Sequence, residues 1–178
     1  AYRDGSDAEA REHMLHAAYR AGLAFTKSYV GYVHAVAHSL GGQYGIAHGL
    51  ANAVLLPYVL EEYGASCEHR LANLARRAGV VPGAMNDHDA STAFIQWVRE
   101  MNAAMRIPTK LAGIRDEDIS EMARHADAEG NPLYPVPKLM DARELERLYH
   151  LVQERGERDA ADAAAQTRDA HATPSATA

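Results

Sequence analysis

The 178-residue chain has a single cysteine, Cys67, which excludes an internal disulfide framework; a lone thiol suits a reducing, cytoplasmic setting. No apolar run approaches the ~20 residues that a membrane helix needs, so no membrane span is expected. No basic stretch followed by an apolar core opens the chain, so no secretory signal is expected. Basic excess is also missing. With 18 Lys and Arg against 24 Asp and Glu, the net charge is −6, and the electrostatic footprint of a nucleic-acid partner is absent. Nowhere do apolar and polar residues alternate as in a half-buried strand. The chain starts at Ala1 without an initiator methionine, which points to a fragment or a processed chain.

What is present is helical periodicity. Hydrophobic residues make up 47%, enough for one domain burying roughly 70% of its unfolded surface. Ser6 and Glu9 form a capping-box pattern opening a helix to about Tyr29, with Leu15, Ala18, Gly22 and Phe25 on one face and Arg11, Glu12 and Arg20 suited to solvent. A second helix is expected over about Gly31–Leu40, ending at Gly41-Gly42, and a third over about Gly49–Tyr63, kinked or broken at Pro57. Further helices are expected at about 66–78, 90–105, 116–127 and 142–155, the last capped by Asp141 and Glu144. The segment Asn131–Pro137 reads as an extended surface crossing. The fold class is therefore an all-α helical bundle. Residues 1–156 form its domain, and the Ala-rich residues 157–178 are expected to be a disordered tail.

One stretch, VHAVAHSLGGQYGIAHGLAN at 33–52, places His34, His38 and His48 within fifteen residues. His34 and His38 are four apart on one helical face, and the glycines let the chain turn back to bring His48 beside them. Neutral imidazole is a common nitrogen ligand of zinc and iron, so a metal is the leading functional reading. A metalloprotease is excluded, because its motif needs Glu directly after the first histidine and Ala35 stands there. The other histidines are scattered among charged or loop residues and read as solvated surface positions.

The run from Val33 through His38, Gly41-Gly42, Tyr44, His48-Gly49, Ala51-Asn52-Ala53 and Leu56-Pro57 resembles the signature of the iron-containing (group III) alcohol dehydrogenases. Ile107-Pro108-Thr109-Lys110-Leu111 with Asp116 to Ile119, and Asn131–Pro137, are similar to later segments of that family, so the resemblance covers about residues 7–152. It implies the C-terminal helical domain of the dehydroquinate synthase-like fold, without the N-terminal α/β nucleotide-binding domain, whose Gly-rich phosphate turn does not occur here. It further implies His34 and His48 as two metal ligands, for Fe²⁺ or Zn²⁺, with two more ligands upstream of this chain. His38 would stand beside the nicotinamide of NAD or NADP. The implied activity is hydride transfer between a small alcohol or aldehyde and NAD(P), in a homo-oligomer. A glycerol dehydrogenase-like relative is the alternative within the superfamily, against which Ala51-Asn52-Ala53 argues; a stand-alone helical interaction module is the alternative outside enzymes. For the chain by itself, the implied truncation predicts inactivity, marginal stability, and exposed apolar residues at Leu15, Leu23, Phe25, Val54, Leu55 and Leu56.

Overall fold

The structure, a computed structural model, describes residues 1–154. It is all-α, as the periodicity requires: α1 (Ala8–Ser28), α2 (Tyr32–Tyr44), α3 (His48–Tyr63), α4 (Glu68–Arg77), α5 (Asp87–Ala104), α6 (Asp116–Gly130) and α7 (Ala142–Val152), with a 3₁₀ turn at Gly64–Ser66. The only β-type pairing among the described residues is an isolated parallel bridge between Leu111 and Gln153. The expected tail lies outside the described residues.

The core sits where α2, α3, α6 and α7 meet, and α5 joins it to the α4–α5 pair through α3. Tyr32, Leu40, Leu55, Ile119, Leu145 and Tyr149 are fully buried there; each such side chain contributes roughly 1.5–3 kcal/mol. α2 and α6 run antiparallel. At one end Tyr44 donates to Asp118 Oδ2 at 2.6 Å. At the other, Gly130 lies so close to Tyr32 that a Cβ there would come within 2.8 Å of the ring. The Asp141–Glu144 capping box forms as the sequence suggests.

Several expectations need correction. Asp7, not Ser6, caps α1, accepting from the Ala10 amide at 2.9 Å. Ser6 is diverted, its hydroxyl donating to Asp4 at 2.6 Å. α2 does not stop at Gly41-Gly42. It continues to Tyr44 and ends at Gly45, whose φ of 66° is left-handed. Each interior glycine costs about 1 kcal/mol of helix propensity, and the extra turn offsets this by bringing Tyr44 to Asp118. α3 begins one residue early, at His48, and runs unbroken through the buried Pro57. Val54 and Leu55 are buried in the core, because α5 and α7 cover α3. α1 is different. It packs against no other helix and buries no residue, leaving Leu15 71%, Leu23 54% and Phe25 51% exposed.

Candidate functional site

The left-handed turn at Gly45 reverses the chain between α2 and α3, and this reversal assembles the histidines. His34 and His38 project from successive turns of α2, and His48 opens α3. Their ring centroids are 5.9 Å apart for His34–His38, 5.3 Å for His34–His48 and 5.2 Å for His38–His48. All three residues singled out in the sequence are thus brought together. The scattered histidines are not: His69 pairs with Asp87 at 2.6 Å and His88 with Glu68 at 3.1 Å across α4 and α5, and His125 pairs with Glu121 at 3.0 Å.

The three rings have unlike surroundings. His34 is half-buried, and burial, reinforced by the facing imidazoles of His48 and His38, pushes its pKa below the usual histidine range; Glu129 opposes this weakly. At neutral pH it is therefore the uncharged ring, the form that offers a lone pair to a Lewis acid. Around His48, Asn52 Nδ2 donates to Nε2 at 2.9 Å and to the His48 carbonyl at 3.1 Å. That fixes Nε2 as an acceptor, with the ring proton on Nδ1. His38 is exposed, and its Nδ1 lies 2.7 Å from Glu129 Oε1 on α6.

Two cavities flank the cluster. A groove of about 380 Å³ between α2 and α6 is lined by His38, Gln43, Asp118, Glu121, His125 and Glu129. On the other side, a more apolar hollow of about 570 Å³ is lined by His34, Asn52, Leu56, Tyr63 and Val136, among others. Among the described residues, no group of three or more His, Cys, Asp or Glu side chains is arranged to enclose a metal ion. His34 and His48 are compatible with a shared ion: two imidazoles bound at about 2.0–2.1 Å with a tetrahedral angle have ring centres about 5 Å apart.

Three site residues were not singled out for a role by sequence reasoning. Asn52 stands four residues after His48 on the same helix face, a spacing that could have flagged it. Glu129 lies far along the chain, and only the packing of α6 on α2 brings it to His38; Tyr134 joins through its own bond to Glu129.

The C-terminal model of the Fe-containing alcohol dehydrogenase family matches residues 1–152. The chain is 35% identical over 147 residues to the 1,3-propanediol dehydrogenase of Citrobacter freundii, covering 82% of this chain and 38% of that protein. It is 41% identical over 131 residues to alcohol dehydrogenase 4 of Saccharomyces cerevisiae, covering 71% and 32% respectively. Among solved structures, a 1,3-propanediol oxidoreductase superposes with a TM-score of 0.76 at 34% identity, over 82% of this chain and 38% of that one. The chain thus spans less than two fifths of the length of these relatives.

Proposed function

The chain belongs to the Fe-containing alcohol dehydrogenase family, and from that premise we propose that it supplies two metal ligands and a cofactor-side histidine to an NAD(P)-dependent alcohol dehydrogenase. The observation that carries this reading is the convergence of His34, His38 and His48 at centroid separations of 5.2–5.9 Å, each ring in different surroundings.

His34 and His48 fit a divalent ion such as Fe²⁺ or Zn²⁺. Burial favours the uncharged His34 ring, Nε2 of His48 carries a lone pair that a bound ion would take over from the Asn52 amide, and the spacing of the two rings suits one shared ion. A catalytic metal site uses about three protein ligands with one position open, so the remaining ligands come from outside residues 1–154, on a partner nucleotide-binding domain or the segment joining it. A bound ion would supply Lewis-acid polarisation of an alcohol or aldehyde oxygen, and a bound nicotinamide would supply the hydride chemistry. The chain's own residues do the positioning. His34 and Asn52 face the more apolar hollow, which suits the carbon skeleton of a small alcohol or aldehyde. His38 faces the groove lined by Asp118, Glu121 and Glu129, where it can hold or move the alcohol proton.

Elemental analysis of an enzyme of full family length carrying this segment tests the ligand assignment. His34→Ala and His48→Ala are expected to lose iron. Full metal occupancy in His48→Ala would sink the assignment.

A further inference from the structure

We infer that Glu129 is the positioning residue of His38, holding its ring in one tautomer and one orientation through a carboxylate oxygen that Tyr134 holds in turn. The inference rests on the reading of His38 as a proton-handling group. Glu129 Oε1 lies 2.7 Å from His38 Nδ1, and it also accepts from the Tyr134 hydroxyl at 2.7 Å. A carboxylate oxygen accepts, so Nδ1 carries a ring proton, and in the neutral ring Nε2 keeps the lone pair. That leaves His38 a nitrogen able to take a proton.

The grip is built from three separate parts of the chain. Glu129 is the penultimate residue of α6, and side chains on a helix lean toward its N-terminus. In the antiparallel α2–α6 pair, this lean carries the carboxylate along α6 toward the level of His38. The close approach at Gly130 and Tyr32 sets the distance between the two helices. Beyond Gly130 the chain folds back, with the Tyr134 amide donating to the Gly130 carbonyl at 2.9 Å, and delivers the phenol to Glu129. Burial, then the bond to Glu129, pushes the Tyr134 pKa up to about 12, so its hydroxyl remains a donor at neutral pH. On its other side the His38 ring stacks on His48, with an interplanar angle of 19°. The ring is thus fixed both at its edge and on its face.

Stability does not account for this arrangement. The His38 side chain is 44% exposed and that of Glu129 32%, and ion pairs so placed contribute little to folding. Orientation of a functional imidazole by a carboxylate is, by contrast, a recurring device, and removing such a partner lowers activity about 10–100-fold.

The test has two arms. In the first, ¹⁵N-labelled histidine rings of the 178-residue chain are observed by NMR. His38 is expected to carry its proton on Nδ1. Glu129→Ala should shift the ring toward the other tautomer at an unchanged melting temperature, and Glu129→Gln, which keeps an acceptor oxygen, should restore it. Unchanged His38 resonances in Glu129→Ala would overturn the inference. In the second arm, Glu129→Ala in an enzyme of full family length should lower kcat about 10–100-fold, with KM and metal content little changed and Glu129→Gln recovering part of the loss. Equal kcat in wild type and Glu129→Ala would also overturn it. A wild-type enzyme without dehydrogenase activity would instead remove the proposed function, and the NMR arm would still decide whether Glu129 positions the ring.

Discussion

Asn102 Nδ2 donates to the carbonyl oxygen of Ala53 at 2.7 Å. Ala53 is the residue four before Pro57, so this is the carbonyl that the proline, lacking an N–H, leaves without its helical donor. A side chain from α5 thus replaces the missing backbone bond of α3. This is the physical reason why α3 runs unbroken through Pro57 into its last turn, at Tyr63.

Removing that donor should be costly. Asn102→Ala is expected to destabilise the chain by about 1 kcal/mol, the net worth of a hydrogen bond to a part-buried carbonyl. In a Pro57→Ala background, residue 57 regains an N–H and the same substitution should cost less. Urea unfolding of the four chains of this double-mutant cycle measures the difference. Equal costs in both backgrounds would show that Asn102 does not compensate for the proline.

Gly130→Ala tests the contact that seats α6 on α2. In an exposed helix interior this change gains about 1 kcal/mol. Here the new Cβ would lie 2.8 Å from Tyr32 Cε1 and 3.0 Å from Cδ1. The ring is fully buried, and its hydroxyl donates to Asn131 at 2.6 Å and accepts from the Met140 amide at 3.0 Å, so it has nowhere to move. Overpacking costs about 1–3 kcal/mol, and the net effect should be destabilising. A raised melting temperature would contradict this.

Acid should weaken the junction of α3 with α7. Glu62 accepts from Lys138 at 3.0 Å and from Arg147 at 2.9 Å. The Lys138 bond foremost, against the opposing effect of burial, holds its carboxyl below the ordinary value. A carboxyl depressed on folding stabilises above its unfolded pKa of about 4.3, and that contribution is lost as pH falls through the folded value. Glu62→Gln should therefore melt below wild type at neutral pH, and the gap should close in acid. A gap that does not depend on pH would refute the linkage.

His38→Ala, in an enzyme of full family length, is expected to keep its metal and lose turnover by about 10²–10⁴-fold, as for a positioned proton-transfer group. Loss of iron at unchanged folding, read by elemental analysis and circular dichroism, would instead make His38 a ligand.

The face of α1 that carries Leu15 and Phe25 is uncovered in the chain, and Leu23 on the adjoining flank is exposed as well. A patch of this kind favours association. The 178-residue chain should elute above its monomer size in gel filtration, and Leu15→Glu with Phe25→Glu should shift it toward the monomer. A monodisperse wild-type monomer would show that the face needs no cover.

The all-α class, the positions of the helices and the convergence of three histidines were legible in the sequence. Helical period, the Asp141–Glu144 capping pair and the i,i+4 spacing of His34 and His38 are local properties, and local dihedral preferences carry them. The end of α2 is not legible locally, because Gly41-Gly42 is a local stop signal, overridden by the contact of Tyr44 with Asp118, 74 residues away. The passage of α3 through Pro57 depends on Asn102, and the seating of α6 depends on Gly130 meeting Tyr32. The anchoring of His38 depends on Glu129, at a separation of 91 residues. None of these partners lies on the same helix as the group it serves, so no periodicity can announce them. Tertiary packing decided them, because only the close approach of α6 and α5 to the α2–α3 hairpin brings a donor or acceptor within hydrogen-bond reach.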